Sequence, residues 1–526
     1  MSKVLKNKYL IVYSIIFSFL QVIGYNADKY DSARLNNIST YLYTLSLSLI
    51  IFIALFFISK IRFKDIKTKY IDNLFNKKYS FIILLLLILL AWLIPLYALY
   101  PGNFAYDAGT QLRMVEFNVL TKYHPVIHTF FLYIPIVLGG RLFNSYDIGL
   151  LFHSIIQMLI MGSVFSYTLV YLYKKKFNPI LLIIFLLLYM FLPTHSVFAI
   201  STTKDVIFSG LFNLVFICFY ELSTNTDEFL SKKRNIIITI ILLFLLFSFR
   251  NNMIYAFIVF IPFIVIILKK YYKKVLLICI SSIFLFSIYD ITLTKVFKVN
   301  NGPRIEMFGF VTQQFARVYN KDDLSKDDKE SIEKLYLNDS LNNYNSHITD
   351  PVKSNFNSDE LLNNKFKYLK LYVKLGFKYP LTYIDSIVDT TYGFYYLDET
   401  LPQLGTKAYM GVQCLIISDN TFYGSDDCDN SKYLRNVYYN LLEKASYKKI
   451  PVLNILMNMA VYFLILMFSV CYLIHKKDKY RLIPILLVSL YISTNILAPA
   501  ALVRYMYPLF TLIPLIIFSI YNKKEK

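Results

Sequence analysis

The sequence of 526 residues is 56% hydrophobic and only 17% charged, and its mean hydropathy is +0.49. Soluble proteins carry about 25% charged residues, so the composition excludes a soluble protein, and the continuous apolar runs exclude a membrane β-barrel. The net charge of +21 comes from short Lys- and Arg-rich loops that alternate with loops poor in both, a pattern that reflects membrane orientation and argues against nucleic acid as a partner.

Twelve segments are predicted to cross the membrane as helices, because each is a predominantly apolar run close to the roughly 20 residues that span hydrocarbon. They are residues 8–26, 39–60, 80–100, 148–173, 179–199, 205–221, 234–249, 252–268, 274–295, 450–474, 482–500 and 504–522. With a cytoplasmic N-terminus, the basic loops and the C-terminus all fall in the cytoplasm. The sequence therefore predicts an all-α, multi-pass protein of the cell membrane, surrounded by membrane lipids.

Residues 124–143 are also apolar and long enough to cross. Counting them as a span would invert every later loop and place the basic loops outside the cell, against the distribution of Lys and Arg. Pro135 and the glycine pair 139–140 also weaken a straight span. We therefore expect a helix that lies on or in the outer membrane surface, or a re-entrant element.

The topology divides the chain into four regions. These are two N-terminal helices with a basic cytoplasmic loop (1–79), a membrane core with outer loops 101–147 and 194–205 (80–296), an extracytoplasmic domain (297–448) and C-terminal membrane helices (449–526). The domain carries most of the acidic residues and a predicted helical stretch at 359–378. Cys414 and Cys428 lie in it, and outside the cell they could form a disulfide.

The loop "YPGNFAYDAGTQ" follows the third span and is predicted to lie outside. If residues 105–118 form a helix, then Asp107, Gln111, Met114 and Asn118 share one face. A carboxylate at the membrane rim is partly desolvated, which raises its proton affinity and suits it to act as a base. The alternative is a solvated loop acid or a helix cap.

Further polar side chains are predicted at the same outer level. They are His124, Lys204, Asp205, Arg250, Arg504 and Tyr505. For each residue alone, snorkelling or capping is an alternative explanation, but their convergence from separate loops predicts a site. Asp107 and Asp205 could bind a divalent cation such as Mg or Mn, the arginines suit a phosphate, and Asp107 could accept a proton from a hydroxyl.

The order of these elements resembles the GT-C superfamily of membrane glycosyltransferases. In that superfamily a span leads to a first outer loop with an essential acid, surface helices follow, and the next span returns inward. Here "YPGNFAYDAGTQ" would supply the acid as Asp107, residues 124–143 look like the surface helix, and "TTKDVIFSG" is similar to the second outer loop, with Asp205. The resemblance implies a GT-C-like fold, a polyprenyl-phosphate-linked sugar donor and inverting transfer to an outer glycopolymer, lipid or protein.

On this resemblance, Asp107 is the expected base and Asp205 orients it or binds metal. Lys204, Arg250 and Arg504 are candidates for binding phosphate, and Gln111, His124 and Tyr505 for contacting substrate. A polysaccharide polymerase or ligase is an alternative with a similar layout. A transporter or flippase of a lipid-linked sugar is another, but it should carry ionisable residues deep in its spans and an internal repeat.

Overall fold

A computed structural model describes residues 7–60, 74–303, 305, 308–399, 410–418, 421–425, 428 and 433–521. Their regular secondary structure is nearly all helical, apart from one two-stranded hairpin. The predicted cytoplasmic termini and most of the basic loop after the second helix lie outside the described residues.

The first part of the chain forms α1 (Lys8–Tyr30), α2 (Ile38–Ile58), α3 (Ser80–Ala98), α4 (Ala108–Glu116), α5 (Val126–Phe143), α6 (Tyr146–Lys174), α7 (Pro179–Phe191), α8 (Pro193–Phe198), α9 (Asp205–Thr224), α10 (Thr226–Ser231), α11 (Lys233–Phe249), α12 (Met253–Ile267) and α13 (Tyr272–Lys295). The middle part forms α14 (Gly309–Lys321), α15 (Lys326–Glu333), α16 (Asp350–Lys353), α17 (Ser358–Asn363), α18 (Lys365–Lys378), α19 (Pro380–Thr391), β1 (Cys414–Ser418), β2 (Thr421–Ser425) and α20 (Tyr433–Leu442). The last part forms α21 (Pro451–Met457), α22 (Met459–Lys476), α23 (Lys479–Ser493) and α24 (Val503–Ile520).

Ten helices among the described residues are long and apolar enough to cross a membrane, by length and composition. They are α1, α2, α3, α5, α6, α9, α22 and α24, together with the helical stretches Lys269–Lys295 and Lys479–Leu497. Helices α7 and α12 are apolar but shorter. The chain is therefore a multi-pass membrane protein. Ten of the twelve predicted segments each correspond to one helix, whereas 179–199 is divided at Leu192 and 450–474 at Asn458, where the backbone is extended.

Helices α9 and α24 form the centre of the bundle, because 78% and 83% of the residues in their most apolar stretches are buried. Between them, Asn213 Nδ2 donates to Thr511 Oγ1 at 2.8 Å, and Tyr189 of α7 donates its hydroxyl to the Thr511 carbonyl at 2.8 Å. Such hydrogen bonds hold helices together where lipid offers no polar alternative. Both central helices begin at the same end of the bundle, which we call the site end.

Loops from several other helices converge on the site end. After α3, Asn103 Nδ2 donates to Ser201 Oγ at 2.9 Å, just before α9. Lys122 pairs with Asp290 in the last turns of α13 at 2.8 Å. These contacts fix the loop between α3 and α5 against two neighbouring parts of the bundle.

Helix α5 begins and ends at the site end. Near its start, His128 Nδ1 lies 3.1 Å from Gln111 Oε1 of α4, and near its end Gly139 touches Gly149 in the first turn of α6. The ring of Phe131 lies 5.3 Å from that of His153, only one turn further along α6. Phe131 and Gly139 of α5 thus both contact the first two turns of α6, while the length and apolar composition of α5 would also permit a span.

The predicted extramembrane region has two parts. Residues 308–383 build a separate hydrophobic core that includes Phe315, Leu335, Val352, Leu371 and Leu375. From Val388 onward the buried apolar side chains belong to the core of the bundle instead, except Phe422, which packs in a smaller cluster with Phe104 and Leu112. The region is thus a small helical domain followed by a segment packed on the bundle end.

A buried ion-pair network attaches the domain to the turn between α1 and α2. Arg317 of α14 pairs with Asp389 of α19 at 2.6 Å and donates to the backbone carbonyl of Asp31. Asp385 Oδ1 accepts a hydrogen bond from the Ala33 backbone at 2.8 Å. The domain is therefore fixed directly beside two membrane-length helices.

Strands β1 and β2 form an antiparallel hairpin whose register pairs Cys414 with Ser425. A disulfide joins Cys414 to Cys428, which confirms the predicted pairing. The hairpin packs directly on the loop and helix around residue 107, because a Cβ at Gly109 would lie 2.7 Å from the Phe422 carbonyl oxygen. Glycine at position 109 permits this close approach.

The disulfide can be checked by counting thiols. The chain has five cysteines, and Cys218, Cys279 and Cys471 are unpaired. Titration of the unfolded, unreduced protein should give three thiols, rising to five after reduction. Five thiols before reduction would contradict the pairing.

The ion-pair network predicts a pH dependence of stability. Asp389 is fully buried, and burial, only partly offset by Arg317, raises the pKa of its carboxyl to about 8. The folded chain therefore retains a proton that the unfolded chain releases near pH 4, so stability falls as the pH rises between these values. The midpoint of thermal unfolding should decrease from about pH 5 to about pH 8, and Asp389→Asn should flatten this slope. An unchanged slope in the variant would contradict the assignment.

Candidate functional site

Asp107 stands immediately before α4, at the end of a loop held by backbone contacts. Asn103 Oδ1 accepts from Gln413 N at 2.9 Å, and its Nδ2 donates to the Gly411 carbonyl at 3.0 Å. Tyr106 adopts φ +64°, a left-handed conformation that is uncommon for a bulky side chain. The loop and the segment around residue 411 together direct Asp107 toward the centre of the site end.

Three nitrogen-bearing side chains from different parts of the chain surround Asp107 Oδ2. Arg504 Nη1 lies at 3.2 Å, Lys204 Nζ at 3.3 Å and His124 Nδ1 at 3.7 Å. The Asp107 side chain keeps 32% of its surface accessible, against 18% for Lys204 and 12% for Arg504. The carboxylate therefore remains accessible to solvent, in front of cationic partners that are more buried, and we call the space in front of it the hollow.

The electrostatics of Asp107 correct one expectation. Burial by itself would raise the pKa of this carboxyl, but Arg504, Lys204 and His124 outweigh burial and hold the pKa well below its usual range. The prediction that desolvation makes Asp107 a stronger base is therefore wrong for this arrangement. Burial, with Lys204 nearby, also lowers the pKa of His124 to about 4, so that His124 is neutral at pH 7. Burial lowers the pKa of Lys204 as well.

A second ion pair lies behind the first. Asp205, at the start of α9, is fully buried, pairs through Oδ1 with Arg250 Nη1, and accepts from Thr203 Oγ1 at 2.9 Å. Arg250 Nε in turn donates to Asn252 Oδ1 at 3.2 Å. The catalytic role predicted for Asp205 does not fit this position, because Arg250 covers a carboxylate that has no accessible surface. Its position fits a residue that orients Arg250.

Tyr505 joins the two ion pairs. The guanidinium of Arg250 lies 5.1 Å from the centre of its ring and that of Arg504 lies 5.0 Å from it, within cation–π range. Its hydroxyl accepts from Arg504 Nη2 at 3.2 Å. Arg504 also lies 4.8 Å from the centre of the Tyr106 ring. The predicted convergence is thus present as one polar cluster, which comprises Tyr106, Asp107, His124, Lys204, Asp205, Arg250, Arg504 and Tyr505.

The predicted helical face around Asp107 is not formed. Helix α4 begins at Ala108 and ends at Glu116, so Asp107 precedes it and Asn118 follows it. Gln111 is buried and turns toward His128 rather than toward the polar cluster. Sequence patterns also did not single out Tyr106 or Thr203. Tyr106 directly precedes Asp107, and Thr203 lies two residues before Asp205, and this proximity is what could have indicated them.

The residues present do not favour a resident divalent cation. Among the described residues, no group of three or more His, Cys, Asp or Glu side chains could hold a metal ion. Asp107 already contacts two cations and Asp205 a third, so a metal would have to displace them. The predicted Mg or Mn therefore enters no step below.

A comparison with protein families gives one match. A model described as "Family of unknown function (DUF6020)" covers residues 116–526. No curated protein and no solved structure matches the chain. The matched region includes His124, Lys204, Asp205, Arg250 and Arg504 and begins after Asp107.

The two acids should differ in their effect on stability. Asp205→Ala leaves Arg250 buried without its counter-ion, and breaking such a pair costs about 3–5 kcal/mol. Asp107→Ala should cost less, because the hollow admits water to Arg504 and Lys204. Thermal unfolding of the two variants in detergent would measure the difference, and adding Arg250→Met to Asp205→Ala should restore part of the loss. Equal losses at the two positions would contradict this interpretation of the cluster.

Proposed function

The chain belongs to the DUF6020 family, whose function is unknown, and we propose that it is a GT-C-like membrane glycosyltransferase. It would transfer a sugar from a polyprenyl-phosphate donor to a glycopolymer, lipid or protein acceptor outside the cytoplasm. The observation that carries the proposal is the position of Asp107, which faces a hollow with Arg504 and Lys204 within 3.3 Å of its carboxylate. This places an acid beside two groups suited to a phosphate.

The topology supports an extracytoplasmic site. Helices α9 and α24 run away from the site end and α11 runs toward it, because Asp205, Arg504 and Arg250 stand at their site-end termini. The described basic loops at 174–176, 232–234, 269–274 and 476–481 lie near one another at the opposite end, where Lys175 pairs with Glu221 and Lys274 donates to the Leu230 carbonyl. By the positive-inside rule, we expect the end opposite the site to face the cytoplasm.

The donor phosphate has a defined place in this proposal. A phosphodiester in the hollow would contact Arg504, whose planar guanidinium matches phosphate oxygens, and Lys204 as a point charge. Tyr505 holds Arg504 in place from behind. Arg250 lies against the same Tyr505 ring, and Asp205 holds Arg250. The lipid chain of the donor would stay in the bilayer at the edge of the bundle.

Donor binding also changes Asp107. The cations that depress its pKa are the same cations that the phosphate would engage, so the carboxylate becomes a better proton acceptor once the donor is bound. The acceptor hydroxyl oxygen then attacks the anomeric carbon, forming a C–O bond as the bond from that carbon to the phosphate oxygen breaks. The hydroxyl proton goes to Asp107, and polyprenyl phosphate leaves on Arg504 and Lys204. Attack from the face opposite the phosphate inverts the anomeric centre.

The acceptor side of the hollow would be formed by the extramembrane segments. The 410–413 segment pairs with the loop before Asp107, and the β-hairpin covers α4 at Phe422. We expect the neighbouring helical domain at 308–383 to hold a larger acceptor, as outer domains do in the superfamily that the chain resembles.

Replacing the proposed base tests the function. Asp107→Asn removes the proton acceptor at nearly constant size, and general-base catalysis typically contributes about 10²–10⁴-fold, so transfer should fall by at least that factor. The protein is reconstituted in proteoliposomes with a panel of polyprenyl-phosphate hexoses and isolated cell-envelope acceptor. The assay measures the release of free polyprenyl phosphate, which accompanies transfer whichever of these sugars is used. Glu116→Gln, an exposed acid at the other end of α4, is the matched control and should retain activity.

Full release by Asp107→Asn would remove the catalytic assignment. Movement of the lipid-linked sugar across the proteoliposome membrane without release of polyprenyl phosphate would instead identify a transporter.

A further inference from the structure

Helix α18 in the extramembrane domain carries an apolar stripe that faces away from the domain. Phe366 is 77% exposed, Leu369 58%, Val373 46% and Phe377 85%. Their spacings of three, four and four residues place them on one face of the helix. Protein surfaces exposed to water rarely carry so large an unpartnered apolar strip, and such strips mark interaction sites.

The stripe is not the face by which α18 packs on the domain, because a different face of the helix is already buried there. Tyr368, Leu371 and Leu375 lie in the core of the domain. Tyr368 donates its hydroxyl to Glu360 Oε1 at 2.7 Å. Helix α18 is therefore apolar on two sides, and the domain accounts for only one of them.

The charge of α18 indicates the kind of surface that would cover the stripe. The helix carries five lysines and no acid, namely Lys365, Lys367, Lys370, Lys374 and Lys378. Lys374 pairs with Asp328 at 2.7 Å. Apolar residues flanked by lysines are typical of helices that lie in the interface of a membrane with anionic lipids.

The attachment of the domain places this helix close to a bilayer. Helix α19 follows α18 directly, and Leu381 and Ile384 continue the exposed apolar surface at 39% and 40% exposure. The next residue, Asp385, bonds to Ala33 in the turn that joins two membrane-length helices. The surface thus begins at the level where the chain leaves the membrane.

We propose that α18 is an interfacial membrane anchor of the extramembrane domain. Phe366, Leu369, Val373 and Phe377 insert at the boundary between headgroups and acyl chains, about 5–10 Å into the interface, and the lysines contact anionic headgroups. This inference is independent of sugar transfer, since it needs only the position of the domain beside the membrane bundle. A protein partner or a second copy of the chain on the same stripe would refute it.

Tryptophan fluorescence can test the proposal in the full-length protein. The chain has a single tryptophan, Trp92, which is fully buried and hydrogen-bonded to the Tyr189 carbonyl, so the unmodified protein gives a constant background. Phe377→Trp places a reporter on the stripe. Leu337→Trp, at a 49% exposed apolar position of the same domain outside α18 and α19, is the matched control. Each protein is reconstituted into bilayers of phosphatidylcholine with or without phosphatidylglycerol, containing lipids brominated near the headgroup end of the acyl chain.

Brominated lipid should quench most of the added fluorescence of Phe377→Trp and leave Leu337→Trp unaffected. Quenching should be stronger with phosphatidylglycerol, and Lys367→Gln with Lys370→Gln should remove that difference. A reporter at 377 that is quenched by aqueous iodide but not by brominated lipid would overturn the anchor, because the stripe would be in water. Protection from both quenchers would overturn it in favour of a protein contact, and equal quenching with and without phosphatidylglycerol would overturn the role of anionic headgroups.

Discussion

The neutralisation of buried charge at one end of the helix bundle constrains the rest of the molecule. Asp205 has no accessible surface, and Arg250 and the Thr203 hydroxyl contact its carboxylate, which offsets the cost of burying it. Tyr505 separates Arg250 from Arg504, and Arg504 reaches Asp107. Asp107 and Arg504 are 397 residues apart in the chain, and Asp205, Arg250 and Arg504 stand at the ends of different helices, so the cluster can close only when α9, α11 and α24 are assembled. The assembly of these three helices therefore determines the electrostatics of the site.

Much of the architecture follows from the sequence, because a bilayer enforces simple rules. Hydropathy locates the helices within a few residues. The distribution of Lys and Arg argues against 124–143 as a span, whereas the length and apolar composition of α5 would permit one. The disulfide between Cys414 and Cys428 could be predicted because both cysteines lie in the polar region that is expected outside the cell. Helix α18 shows where such rules stop. Its sequence is apolar on two faces, so periodicity predicts a helix but does not tell which face enters the core.

The members of the site were predictable, but their roles were less so. Polar residues at the rim of a membrane are rare enough that Asp107, Lys204, Arg250 and Arg504 stand out in the sequence. The proton affinity of Asp107 depends on distances to cations that only the fold supplies, and the sequence argument included burial but not those neighbours. The inaccessible position of Asp205 behind Arg250 is likewise a property of packing that no local pattern encodes.

The pairing of Asp107 with its cations has a consequence for how the proposed reaction would be controlled. A base held at low pKa by Arg504 and Lys204 is weak until an anion takes those cations, so the strength of the base depends on donor occupancy. This coupling does not distinguish an acceptor hydroxyl from water, because either could lose a proton to the freed carboxylate. Selectivity against hydrolysis must then come from what closes the hollow. The β-hairpin packs on Gly109 and the 410–413 segment pairs with Asn103. In the proposed reaction, their attachment to the loop of Asp107 would link acceptor binding to the geometry of the base.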